Sequence, residues 1–169
     1  LDEDYIPVES FRTICKRRDI TDGNAQDVLL SILDALGVVL HFKDIELANT
    51  HVLQSEWLTT GVYAVITSKR LAEKKGELDP STDLDHIFSE AEDLDYTYPR
   101  DKYQYIAGMM KHFELCYEQS NRCLLFPDLL PVSEPEDLPI DLSESPSLYY
   151  QYQFMPPSVL IRLMVRMHE

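Results

Sequence analysis

The chain has 169 residues, 44% of them hydrophobic and 27% charged, a globular rather than a disordered mixture. Fifteen Lys and Arg stand against thirty Asp and Glu, giving −15, and the deficit is uniform: residues 1–54 carry 5 basic and 10 acidic groups, 55–127 carry 8 and 13, and 128–169 carry 2 and 7, so each part nets −5. No stretch offers the concentrated positive field that nucleic-acid phosphates or an anionic membrane surface demand.

Val8, Phe11, Ile14 and Cys15 recur at helical spacing behind Pro7, which suits a first helical position, and Lys16, Arg17 and Arg18 complement the dipole at the far end. Thr21-Asp22-Gly23-Asn24 is a turn and cap signal. The helix it opens is the best amphipathic one in the chain, with Ala25, Val28, Leu29, Ile32, Leu33 and Leu36 on one stripe and Gly37 as its stop. Val38–Phe42 reads as a β-branched strand and Asn49–Leu53 as its partner.

Glu56–Ser68 is predicted as a helix with Trp57, Leu58, Gly61, Val62, Val65 and Ile66 on one side, and Lys74–Leu78 as a single strand. Asp79-Pro80 gives a cap and a first-turn proline for a helix through Leu84, Ile87 and Phe88. After a polar loop, Arg100 to about Glu114 places Tyr103, Ile106, Met110 and Phe113 on one face. Leu115–Glu118 and Arg122–Phe126 then flank the hairpin signal Gln119-Ser120-Asn121. Helix, strand, helix, helix, hairpin is the order of a winged helix. Five of the ten prolines fall between Pro127 and Pro146, the mark of an extended connector. Ser147–Met155 alternates as a strand, with Tyr150, Tyr152 and Phe154 opposite Tyr149, and Ser158–His168 restarts a helix.

The expected fold is therefore α+β: a helical N-terminal part with small strands (1–54), a winged-helix-like body (55–127), a proline-rich connector (128–146), and the strand and helix of a further unit (147–169). The chain opens on Leu1 with no basic leader and apolar stretch behind it, as an internal excerpt does. No apolar run approaches ~20 residues, so no bilayer-spanning segment is expected.

Chemistry-bearing patterns are sparse. There is no GxxxxGK[ST] phosphate loop, and Asp34-Ala-Leu-Gly37 matches DxxG only at the end of an amphipathic helix, so no nucleotide or other cofactor is expected here. His41, His51, His86, His112 and His168 lack the spacing of a zinc site, and no metal is expected. Cys15, Cys116 and Cys123 form no CxxC pair; they suit small buried hydrophobes in a reducing cytosol rather than nucleophiles or a disulfide framework. Asp83/Asp85 and Glu90/Glu92/Asp93 point to different helix faces, which favours a solvated surface over a general acid and base. No catalytic residue is assigned. A winged helix invites DNA binding, with Arg100, Lys102, Gln104, Lys111 and His112 as its basic side, but Asp101, Glu114, Glu118 and a segment net of −5 oppose it.

Three stretches in order, Gly37-Val-Val-Leu-His-Phe-Lys-Asp44, His51-Val-Leu-Gln-Ser-Glu-Trp-Leu58 and Lys75-Gly-Glu-Leu78, resemble the COR (C-terminal of Roc) domain of Roco proteins. Leu115–Glu118, Cys123-Leu-Leu-Phe-Pro127, Leu129-Leu-Pro131, Tyr152-Gln-Phe-Met-Pro156 and Arg162-Leu-Met-Val-Arg-Met-His168 extend the resemblance to roughly residues 20–169. It implies a non-catalytic first half of COR, following a Ras-like Roc GTPase domain in cis. That tandem couples GTP/GDP state to homodimerisation through the second half of COR, in cytoplasmic signalling proteins that often carry leucine-rich repeats and sometimes a kinase. GTP, GDP and magnesium would then belong to the parent's Roc domain. The resemblance also implies a Roc-facing residue on the second hairpin strand, a tyrosine in a kinase-bearing member. The matching position is Cys123, whose thiol supplies neither ring nor hydroxyl, so the contact there is smaller and apolar. Tyr117, Cys123 and Leu125 are the expected GTPase-domain contacts. The winged-helix domain of a STAND-type signalling NTPase is the second reading of the element order, and a DNA-binding winged helix the third.

Overall fold

Tyr5–Pro7 (β1) pairs antiparallel with Thr50–Val52 (β2), Tyr5 opposite Val52 and Pro7 opposite Thr50, in the computed structural model, which describes residues 4–41, 50–52, 55–91, 95–131 and 149–168. Pro7 is extended (φ −63°, ψ 149°) and ends β1, so helix α1 (Val8–Arg17) begins one residue after it. As the cap residue, Pro7 withholds no N–H that the helix needs. Helix α2 (Gly23–Ala35) is capped by Asp22, whose carboxylate accepts the Ala25 N–H at 2.8 Å. It ends at Gly37 (φ +70°), with Val38 N–H reaching Leu33 O and Gly37 N–H reaching Asp34 O.

Two expectations fail in this part. The stripe on α2 faces inward along only one of its edges. Leu30 is buried with Gln26, Leu29 and Leu33 pack partly, and Val28, Ile32 and Leu36 lie at least half exposed. Gln26 takes an inward place because both ends of its amide are satisfied, by Ile20 O at 2.8 Å and Arg12 Nη1 at 3.3 Å. The strand expected at 38–42 is a bend followed by a lone bridge at Leu40, Phe42 lying outside the described residues. The partner of β2 comes instead from β1, about forty-five residues upstream. A three-residue strand carries too little alternation to announce such a pairing.

The body begins with α3 (Ser55–Ile66). A second, short helix follows, α4 (Lys69–Glu73), capped by the Ser68 hydroxyl accepting Leu71 N–H at 3.2 Å. Only Glu77–Leu78 (β3) of the expected 74–78 strand is extended, because Lys75 (φ +53°) and Gly76 (φ +85°) turn the chain. Helix α5 (Asp83–Glu90) starts later than Asp79-Pro80, since Asp79 closes its own turn on the N–H and hydroxyl of Ser81. Arg100–Lys102 form a 3₁₀ turn before α6 (Tyr103–His112), and the hairpin strands are β4 (Tyr117–Glu118) and β5 (Leu124–Leu125). The sheet is antiparallel in the order β3-β5-β4. Helix, strand, helix, helix, hairpin is present with α4 added, and the chain is α+β. Pro127–Leu129 is a 3₁₀ turn, and α7 (Ser158–Arg166) is the last helix. Most of the proline-rich connector lies outside the described residues. The strand expected at 147–155 is not formed over 149–155, where Tyr149, Tyr150 and Phe154 are exposed and no ladder supplies their backbone with partners.

Trp57, fully buried on α3, centres the main core. Its indole N–H donates to Thr97 O at 3.2 Å, while the Tyr98 hydroxyl donates back to Trp57 O at 2.7 Å. Tyr98 is sandwiched between Trp57 and Phe88, at 5.2 and 4.5 Å between ring centroids. Gly61 makes that sandwich fit, for a Cβ there would stand 2.6 Å from the Tyr98 ring. We expect Gly61→Ala to lower unfolding free energy by about 1–3 kcal/mol in urea titration, despite the ~1 kcal/mol that alanine gains in helix propensity.

Candidate docking face on the three-stranded sheet

Asp83 sets the position of β3 against α5. It is fully buried, and its carboxylate accepts from Arg70 Nε at 2.6 Å, Lys74 Nζ at 2.7 and 2.8 Å, and the Asp79 N–H at 2.9 Å. Burial pushes the carboxyl up. The hydrogen bonds from Lys74, the Asp79 amide and Arg70, with the charge of Lys74, outweigh it and leave Asp83 below the ordinary carboxylate value. Its burial corrects the expectation of a solvated surface at Asp83. The available signal was Arg70 and Lys74, four apart on one helix and therefore side by side. Lys74 caps α4 immediately before the turn into β3, so the ion cluster ties α4, that turn and α5 together.

On the opposite edge, Tyr117 pairs with Leu125 and Glu118 with Leu124, and Leu125 also pairs with Glu77 on β3. Gln119 N–H donates to Cys123 O at 2.8 Å, and Arg122 takes a left-handed conformation (φ +66°) to close the turn. Asn121 Oδ1 accepts the Cys123 N–H at 3.0 Å. Leu124 and Phe126 enter the main core, so alternation sends Leu125 to the other side of the sheet. Gly76 lets the 3₁₀ turn close over that sheet, since a Cβ there would meet Phe126 O at 2.7 Å.

The three expected contact residues are thus neighbours on one hairpin. Tyr117 is half-buried and stacks on His168 of the chain's end, 4.5 Å between centroids and 26° between planes. Cys123 is half-buried; burial first, then the charges of Asp79 and Glu77, hold its thiol above the ordinary value. Leu125 is buried. Cys15 and Cys116 are buried too, and desolvation pushes the Cys116 thiol up to about 12 against the pull of Lys111, which leaves it an un-ionised hydrophobe at neutral pH.

The basic side of α6 is already engaged. Arg100 makes a two-pronged pair with Asp85 at 2.7 and 2.5 Å, and Lys111 reaches Glu118 at 2.6 Å. Lys102 lies 3.4 Å from Asp101 and over the Tyr5 ring. Asp34, the acid of the DxxG match, accepts the His41 N–H at 3.0 Å and holds the loop after α2. Among the described residues no helix is long and apolar enough to cross a membrane. Sequence reading also missed Glu114, whose carboxylate meets Arg162 and Arg166 from the far end of the chain; no local spacing connects residues about fifty apart.

The family described as "C-terminal of Roc, COR-A domain" matches residues 1–130. The chain is similar to the RocCORdC structure of Methanosarcina barkeri Roco2 bound to GDP, at 45% identity and a TM-score of 0.72, over 77% of this chain and 40% of that one. It is 26% identical to the probable serine/threonine-protein kinase qkgA of Dictyostelium discoideum over 180 residues, 97% of this chain but 11% of that protein. The chain therefore spans well under half the length of these relatives.

For the sheet that carries this face, Asp83→Asn is expected to cost about 2 kcal/mol in urea unfolding at neutral pH, less than a wholly dry pair because Arg70 and Lys74 keep some contact with water. Because the folded carboxyl lies below its unfolded value near ~3.9, the wild-type advantage is present above about pH 5 and fades as pH falls through the lower folded value. Unfolding of both forms between pH 3 and 7 checks this: a gap that widened on acidification would contradict it.

Proposed function

This chain belongs to the COR-A (C-terminal of Roc) family, and on that premise we propose that it is a non-catalytic docking module for an adjacent Ras-like Roc GTPase domain. The Tyr117–Leu125 hairpin is the contact: Tyr117 offers an aromatic surface, Cys123 a small apolar one, and Leu125 supports both from beneath. Guanine nucleotide and magnesium belong to the GTPase domain, whose GTP or GDP state the module passes on to homodimerisation through the second half of COR in a cytoplasmic signalling protein. We divide the chain into an N-terminal part (1–54), the body that presents the hairpin (55–127), a connector (128–146) and the opening of that second half (147–169). The exposed Tyr149, Tyr150, Phe154, Leu160 and Met167 suit a unit whose remaining apolar partners come from further chain.

The observation that carries the reading is that the family match runs through the whole hairpin to residue 130. Charge supports it. Arg100, Lys102 and Lys111 are matched with carboxylates and do not stand as a row for phosphates, so the occupant of this face is protein and not nucleic acid. A half-apolar hairpin, paired through β5 to the edge that the Asp83 cluster holds, suits a protein partner.

Titration with the purified Roc domain of Methanosarcina barkeri Roco2 tests this by calorimetry. Binding is expected at or below about 100 μM. Tyr117→Ala should weaken it about tenfold, as loss of an aromatic anchor does, while Tyr63→Ala, an exposed tyrosine on α3, leaves it unchanged. Equal affinity of the Tyr117 and Tyr63 variants would move the contact away from the hairpin.

A further inference from the structure

Glu114 occupies a backbone position that favours glycine. It follows the Phe113 cap of α6 with φ +57°, and the hydrogen bonds around it, Leu115 N–H to Met110 O at 3.0 Å and Glu114 N–H to Lys111 O at 2.9 Å, form the helix-ending pattern that glycine most often serves. A β-carbon in that conformation is strained. Its carboxylate shows what glutamate does there. Mostly shielded from water, Oε1 accepts from Arg166 Nε at 2.7 Å, with Arg166 Nη2 at 2.6 Å. Arg162 Nε lies 2.9 Å from Oε2, a charge contact rather than a well-aligned hydrogen bond. Arg162 and Arg166 are four apart on α7 and reach out from one side of it. Three residues past Glu114, Tyr117 lies under the His168 ring.

Along α7, Val165 is buried and Val159, Ile161 and Met164 are half-buried. Both arginines are more than half exposed, where ion pairs are weak. Such wet ion pairs make the clasp on Glu114 the part of this contact that opens first.

We propose that α7 is a releasable strap over the docking face. Clasped on Glu114 and laid across Tyr117 by His168, it shields the hairpin; released, it opens Tyr117 to the Roc domain. The strap and the GTPase domain therefore compete for one tyrosine, and this regulation rests on the docking reading above. The strain at Glu114 persists because the same residue both ends α6 and anchors the strap.

Three forms of the 169-residue chain test it: wild type, Arg162→Ala/Arg166→Ala, and Glu114→Gly. Glu114→Gly removes the anchor while relieving the backbone, so it keeps the body folded and guards against simple misfolding. Amide exchange across 158–168 is expected to quicken about fivefold in both variants, the order that a lost half-exposed ion cluster brings, with exchange in 55–126 unchanged. Affinity for the Methanosarcina barkeri Roc domain should rise by a similar factor. Unchanged exchange in α7 would overturn the clasp whatever the binding result. Faster exchange without tighter binding would overturn the competition. Failure of every form to bind would sink the docking reading and the competition built on it, while the exchange result would still decide the clasp on its own.

Discussion

The fold depends on a pair of crossed hydrogen bonds between α3 and the segment before α6. Trp57 donates its indole N–H to the backbone at Thr97, and Tyr98 returns its hydroxyl to the backbone of Trp57. Each satisfies a polar group that burial would otherwise leave unpaired, at a site where such groups are costly. Together they staple the segment before α6 onto α3 across some forty residues. Tyr5 packs on Trp57 from β1, so the N-terminal part gains its hold on the body through the same indole. The small strands contribute few hydrogen bonds. The aromatic stack decides where α5 and α6 sit, and so where the hairpin emerges.

Charge serves this arrangement in two ways. The chain is strongly acidic, and several of its described cations are paired within it: Arg70 and Lys74 on Asp83, Arg100 on Asp85, Lys111 on Glu118, Arg162 and Arg166 on Glu114. Asp83 is dry and multiply bonded, and fixes geometry. Glu114 is less protected, and its pairs with arginines that remain mostly in water make a contact suited to release. Similar ion chemistry thus yields a rigid joint at one edge of the sheet and a labile one at the other, with solvent access as the difference.

Legibility in the sequence followed range. Asp22 as a cap, Gly37 as a stop, the inward face of α3 from Trp57 to Val65, and the hairpin signal Gln119-Ser120-Asn121 are local chemistry, and they were readable. The order of elements in the body followed from them. The hairpin was likewise readable as the place of Tyr117, Cys123 and Leu125, since register across a short turn is nearly determined by the turn. The failures share a cause. β1 pairs with β2 far along the chain; half the α2 stripe lacks a partner and stays exposed; the aromatic run at 149–155 alternates like a strand but finds no ladder. Pattern states what a segment is fit for, and only a neighbour realises it.

Residue types alone determined that this protein is an acidic α+β domain without a phosphate loop, and their order was enough to mark its likeness to COR. Those properties reside in composition and in spacings of a few residues, where helix and turn geometry act directly. The tertiary structure decided that Asp83 is a buried anchor rather than a wet surface acid, that Glu114 tolerates a left-handed backbone beside two distant arginines, and that His168 lies over Tyr117. Each of those outcomes is a desolvation or a pairing between groups far apart in the chain, and such energies exist only once folding has brought the groups together.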